Sequence, residues 1–167
     1  PNAMGGREVG VLANQLAAHM DFAPDDVARV GRFWGAANMV TGAGLKAVDL
    51  FQAVASGRIK FIWILSTNPV VSLPEADRVR EALRQCPTVV VSECMDDTDT
   101  VRLADIKLPA RTWGEKDGTV TNSERCISRQ RPFLAAPGEA RPDWWALAQV
   151  GRRLGYAAEF GWQHASQ

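Results

Sequence analysis

The fold class this 167-residue sequence predicts is doubly wound α/β: a mainly parallel sheet flanked by helices, with a polar hairpin after the third strand. Three observations lead there. Phe61–Leu65 and Thr88–Val91 are strand-length apolar runs without alternation, the pattern of strands buried on both faces. Segments of helical period precede each of them. Both end in polar clusters, Ser66-Thr67-Asn68-Pro69 and Ser92-Glu93. Helix, strand, helix, strand, short helix, strand is the order of a parallel α/β unit with right-handed crossovers.

Taken in order, Arg7–His19 spaces Val9, Leu12, Ala13, Leu16 and Ala17 as one face of a helix. A second helix is expected over Asp25–Trp34, entered through Pro24, with Val27, Val30, Phe33 and Trp34 on its apolar face. Gly35 to Gly44 is loop. Leu45–Ala55 is an amphipathic helix closed by Gly57. After the first strand, Pro74–Gln85 turns Val79, Ala82 and Leu83 inward. A short helical segment around Thr98–Leu103 leads from the second strand to a third, Ile106–Leu108. Thr119–Thr121 and Cys126–Ser128 form a hairpin around Asn122-Ser123-Glu124, residues whose short side chains bond the local backbone. The last helix, Asp143–Leu154, carries Trp144, Leu147, Val150 and Leu154 at helical spacing and stops at Gly155. These elements divide the chain into a helical entry segment (1–44), an α/β domain (45–155) and a C-terminal tail (156–167).

Nineteen basic residues balance nineteen acidic ones, so no overall field draws the chain to nucleic acid or anionic lipid. Cys86, Cys94 and Cys126 form no CxxC pair, and with only His19 and His164 beside them a closed zinc or iron–sulfur site is not expected. Reduced thiols fit a cytoplasmic protein. No apolar run is long enough to span a bilayer.

Ligands of open α/β sheets sit beyond the strand C-terminal ends. Three polar groups fall there: Thr67-Asn68, Ser92-Glu93, and Glu115-Lys116 in the loop after the third strand. A carboxylate closing the second strand can accept two ribose hydroxyls, and it can equally be solvated. Neither GxGxxG nor GxxxxGK[ST] opens the first crossover, so an ordinary dinucleotide fold and a P-loop are excluded. No catalytic constellation is present. Glu115 and Asp117 read as an acid/base pair or as a solvated turn, and Cys94 as a nucleophile or as an inert thiol.

Gly5-Gly6-Arg7-Glu8-Val9-Gly10, Leu12-Ala13-Asn14-Gln15-Leu16, Ser66-Thr67-Asn68-Pro69, Ala104-Asp105, Leu108-Pro109, Trp113-Gly114-Glu115-Lys116-Asp117-Gly118-Thr119 and Thr121-Asn122-Ser123-Glu124-Arg125 run through the chain in order. Together they resemble the molybdopterin oxidoreductases, above all the assimilatory nitrate reductase catalytic subunits. The resemblance implies a domain cut from a longer polypeptide, its opening Pro1-Asn2-Ala3-Met4 native. It implies an internal α/β domain gripping one half of a bis-molybdopterin guanine dinucleotide cofactor of molybdenum. The iron–sulfur cluster and metal ligand would lie upstream, and a barrel-like domain downstream. Position by position, Asn68, Ser92, Glu93, Lys116 and Asp143 match the family's cofactor-contacting residues. Glutamate stands at 93 where the family has aspartate. Arg125 matches the first of two arginines, and Cys126 replaces the second. No residue here would be catalytic or bind metal. The implied parent reduces nitrate to nitrite in nitrate assimilation, taking electrons from a donor protein or domain, with nucleic acid and membrane absent from its partners. A formate dehydrogenase on the same scaffold, and a non-catalytic scaffold domain as in the iron–sulfur subunit of NADH dehydrogenase, are the alternatives.

Overall fold

The structure, a computed structural model, describes residues 2–167, and Pro1 lies outside it. The chain divides into two compact units, one of residues up to Leu50 with Thr119–Arg129, the other of Phe51–Gly118 with Gln130–Gln167.

In the first unit the chain forms α1 (Ala3–Glu8), a 3-10 turn (Ala17–His19) and α2 (Pro24–Trp34). The continuous helix expected over Arg7–His19 is not there. Gly10 adopts φ +79, a left-handed conformation that ends helical winding, and a Cβ on it would stand 2.7 Å from the Ala17 amide nitrogen. The chain folds back at this point, and Gln15 Nε2 donates to the Arg7 carbonyl at 2.7 Å. Leu16 is buried, whereas Val9, Val11 and Leu12 are exposed. The helical period across them was coincidence.

Helix α2 starts as expected, with Pro24 in its first turn and Asp25 and Asp26 complementing the N-terminal dipole. Gly35 in the left-handed region closes it, its N–H donating to the Arg32 carbonyl and that of Ala36 to the Gly31 carbonyl. Its buried residues are Val30 and Gly31. Phe33 is 86% exposed and Trp34 is also exposed, so the aromatic pair does not enter the core as expected. Apolar spacing defines a stripe, but packing decides whether the whole stripe is covered.

Helix α3 (Ala47–Ala55) ends at Gly57, φ +73, with Gly57 N–H bonded to the Val54 carbonyl and Arg58 N–H to the Ala53 carbonyl. That is the two-bond left-handed cap glycine favours. The second unit is organised on a three-stranded parallel sheet, β1 (Phe61–Leu65), β2 (Thr88–Glu93) and β3 (Ile106–Pro109), in the order β1-β2-β3. Central β2 buries Val89, Val90, Val91 and Ser92, as its unbroken apolar run implies. Edge strand β1 departs from expectation. Ile62 and Ile64, on the face shared with Val89 and Val91, are buried, but Phe61 is 57% exposed and Trp63 and Leu65 are half-buried. An edge strand with one covered face tolerates the same composition as a central one, so the run alone could not separate them.

Between β1 and β2 lie α4 (Pro69–Ser72) and α5 (Ala76–Gln85), which pack on each other; α5 buries Val79, Ala82 and Leu83 as expected. The 3-10 turn Val101–Leu103 touches both α5 and β2. Strands β4 (Gly118–Thr121) and β5 (Ile127–Gln130) make the expected two-stranded hairpin. Asn122 Oδ1 accepts from the Glu124 and Cys126 N–H groups and thereby fixes the turn. Helix α6 (Asp143–Arg153) buries Ala148 and Gly151, while Leu147, Val150 and Leu154 stay exposed, so its apolar stripe is not its covered face. Arg152 donates to the Phe160 and Trp162 carbonyls and ties the tail back onto α6. Among the described residues no helix is long and apolar enough to cross a membrane.

Candidate functional site

The sheet register sets the strand ends level. Leu65 faces Ser92, and Ser92 faces Leu108. Ser66 N–H donates to the Ser92 carbonyl and Ala110 N–H to the Glu93 carbonyl, both at 3.0 Å, so the three chains leave the sheet side by side.

After β1, Asn68 caps α4 through its backbone carbonyl, which accepts from Val71 and Ser72. Its side-chain oxygen accepts from the fully buried Thr100 hydroxyl at 2.7 Å. The amide nitrogen is left with two donors and no partner among the described residues. After β2, Ser92 is buried and its hydroxyl accepts from Trp63 Nε1 at 2.8 Å. Glu93 turns back on its neighbour: Oε1 accepts from the Cys94 N–H at 2.8 Å and its thiol at 3.2 Å. That hydrogen bond, then burial, then the Glu93 charge raise the Cys94 pKa above its ordinary value. The raised pKa favours the inert-thiol reading of Cys94 over the nucleophile.

Beyond β3 the turn Trp113–Glu115 is held by a capping box, with Glu115 Oε2 accepting from Thr112 N–H at 3.0 Å. One oxygen of the Glu115 carboxylate is therefore engaged by the backbone. Gly114 is buried at the centre of this turn. A Cβ there would stand 2.8 Å from Leu134 Cδ1, and its carbonyl accepts from Phe133 and Leu134. The next residue, Lys116, reaches Asp143 in the first turn of α6, Nζ to Oδ2 3.3 Å. The other oxygen, Oδ1, is buried and has no hydrogen-bond partner among the described residues.

Asp143 and Ser92 line one cleft of about 320 Å³ with Leu108, Ala110, Arg141 and Trp145, among others. That volume is at the small end of the roughly 300–1,000 Å³ of small-molecule clefts, enough for one base or sugar at a time. Glu93 lies outside it, in an adjoining cleft with Cys94 and Met95. Asn68 lines neither of these two clefts.

Arg141 and Trp145 escaped the sequence reading. Arg141 runs beside the end of β3, bridged in parallel to Ala110, and its guanidinium lies 5.8 Å from the Trp145 ring centre. The one available signal was Arg141-Pro142-Asp143 ahead of a helix, in which proline holds the arginine extended. Among the described residues no group of three or more His, Cys, Asp or Glu side chains could hold a metal ion.

The sequence model of the family described as Molybdopterin oxidoreductase matches residues 5–153. A nitrate reductase of Klebsiella oxytoca is 58% identical over 98% of this chain and 19% of its own length. The F420-dependent formate dehydrogenase 2 subunit alpha of Methanococcus maripaludis is 31% identical over 99% of this chain and 24% of its own. Acetylene hydratase from Pelobacter acetylenicus shares the fold, with a TM-score of 0.61 at 21% identity over 74% of this chain and 18% of that one. The chain thus spans about a fifth of the length of the curated relatives it matches.

Proposed function

The chain belongs to the molybdopterin oxidoreductase family, and on that premise we propose that it is the domain of a molybdenum-dependent nitrate reductase that binds the guanine nucleotide end of a bis-molybdopterin guanine dinucleotide. The parent enzyme on this reading is cytoplasmic, serves nitrate assimilation, and receives electrons from a donor protein or domain through an iron–sulfur cluster held outside this chain. The α/β domain of residues 45–155 carries the binding surface.

The observation that carries the reading is the unpartnered Asp143 oxygen. A buried carboxylate oxygen without a donor costs free energy. It is relieved by a ligand presenting N–H groups, and the hydrogen-bonding edge of guanine presents them as an adjacent pair. Lys116 fixes the carboxylate from the other side. The Asn68 amide donors suit a ribose or carbonyl oxygen. Ser92 contributes a wall, its hydroxyl being held by Trp63. Glu93 supports the reading less, because one of its oxygens is engaged by Cys94.

When bound, the cofactor supplies the two-electron reduction of nitrate to nitrite and water. This chain's residues bind and orient its nucleotide end. The nitrate reductase of Klebsiella oxytoca, at 58% identity, supports nitrate as the substrate over formate.

The test is chemical analysis of the purified full-length parent for molybdenum and for acid-released guanine nucleotide, with nitrate and formate offered in turn. Molybdenum, guanine nucleotide and nitrate turnover are expected together. A parent without molybdenum or guanine nucleotide would sink the reading and leave the scaffold alternative, while turnover of formate alone would replace the substrate.

A further inference from the structure

A second cleft, of about 300 Å³, opens on the other side of Arg141. Arg111, Arg141, Trp144, Trp145 and His164 line it, with Asp117 as its acidic member. Arg141 and Trp145 also line the cleft of Asp143, so they form a saddle between the two. Neither Arg111 nor Arg141 forms an ion pair with a carboxylate among the described residues. Each donates only to the Ala140 carbonyl, Arg111 Nε at 3.4 Å and one terminal nitrogen of Arg141 at 3.3 Å. Four of the eight other arginines of the second unit, Arg78, Arg80, Arg84 and Arg102, sit on carboxylates. Two guanidinium groups in one concave wall with most of their donors unspent are suited to the oxygens of a phosphate.

Their backbones are set as well. Arg141 N–H donates to the Pro109 carbonyl at 3.0 Å and Arg111 N–H to the Arg141 carbonyl at 3.1 Å, which locks the two residues side by side at the end of β3. The two backbones are held at the end of β3, so the side chains are what binding has left to order.

We infer that Arg111 and Arg141 hold the diphosphate of the guanine nucleotide in this second cleft, while its base occupies the cleft of Asp143 across the Arg141–Trp145 saddle. The inference rests on the nucleotide reading above and extends it to two residues that reading did not use. Asp143 then selects the base, and the two arginines supply affinity for the phosphates.

The experiment compares binding of guanosine and of guanosine diphosphate to the cofactor-free full-length parent by calorimetry, in the wild type and in Arg111→Gln, Arg141→Gln and Arg141→Lys. Wild type is expected to prefer the diphosphate by at least about tenfold, the worth of charge-assisted hydrogen bonds. Each glutamine variant should lose most of that preference, and Arg111→Gln, which lies outside the cleft of Asp143, should keep its affinity for guanosine. Arg141→Lys should fall between, because it keeps the charge and loses the planar fork. Arg78→Gln, remote from both clefts on α5, should match wild type. Thermal melts identify any variant that fails to fold, and Arg141→Lys keeps the test open in that case. Retention of the full preference in both glutamine variants overturns the inference and leaves the nucleotide reading standing. Failure of wild type to bind either ligand, with no guanine nucleotide in the purified holoenzyme, removes both.

Discussion

Lys116 Nζ stands 3.3 Å from Asp143 Oδ2, across the gap between the turn after β3 and the first residue of α6, while Asp143 Oδ1 is buried without a partner. Half of this carboxylate is paired within the fold and half is not. Buried polar side-chain atoms are in large majority hydrogen-bonded in folded proteins, so the second oxygen calls for a partner beyond the ion pair.

Asp143→Ala should therefore affect the cofactor more than the fold. The ion pair is part-exposed, with side chains 31% and 23% accessible, and its loss is expected to change stability by no more than about 1 kcal/mol. Removing the orphaned oxygen offsets part of that. Molybdenum and guanine nucleotide per mole of parent enzyme should fall several-fold. Unchanged contents of both, with unchanged activity, would count against the site.

Leu83 is 1% exposed on α5, in the core of the second unit. Leu83→Ala should lower the unfolding free energy by about 2–5 kcal/mol, read from urea titration. A change under about 1 kcal/mol would mean that the surroundings collapse into the space or that α5 is not part of the cooperative core.

Cys94 is held neutral by its neighbour. Its pKa is raised in the folded chain, first by the hydrogen bond to Glu93, so the native state holds the proton more tightly than the unfolded state. The resulting stability is fully present below the unfolded thiol pKa and is lost as pH rises through the folded one. Alkylation of Cys94 by iodoacetamide at mildly alkaline pH should be slower in native protein than in the urea-unfolded chain. Glu93→Ala should accelerate it. Equal native rates in wild type and variant would show that Glu93 does not control this thiol.

In the hairpin turn one side-chain oxygen, Asn122 Oδ1, accepts two backbone N–H groups beside the backbone bonds Asn122 N–H to Cys126 carbonyl and Arg125 N–H to Asn122 carbonyl. Asn122→Ala exposes both donors, and amide exchange at Glu124 and Cys126 should quicken by about tenfold, from about 1–1.5 kcal/mol of lost local bonding. Unaltered exchange would place the turn's stability in the strand pairing instead.

A Cβ on Gly151 would stand 2.6 Å from the Phe160 ring. Gly151→Ala is expected to displace the C-terminal tail from α6, raising limited proteolysis after Leu154 and shifting Trp162 emission. If the tail stays protected, the ring has room to move and the glycine is not required for its docking.

The strands, most of their boundaries, the α5 core positions and the Asn122 turn could all be read in the sequence, because each is written in nearest-neighbour patterns of apolar spacing and turn chemistry. The motifs from Gly5 to Arg125 carried the family for the same reason: they are local strings. What the pattern misjudged was coverage. Val9 and Leu12 beside Gly10, Phe33 and Trp34 on α2, Phe61 on β1 and Leu147 on α6 all have core-like spacing and end exposed. Periodicity says which residues share a face, not whether anything packs against it.

Of the groups at the strand ends, the sequence by itself determined the identities and the order. Only the tertiary structure decided their states: Ser92 taken by Trp63, Glu93 folded onto Cys94, Asp143 half paired with Lys116, and Arg141 laid beside β3 with most of its donors unspent. The physical reason is separation along the chain. Apart from Glu93 and Cys94, which are neighbours, those partners lie 27 (Lys116 and Asp143) to 32 (Pro109 and Arg141, 141 − 109) residues apart, and which hydrogen bond each polar group makes is settled by the sheet register and loop packing that bring them together.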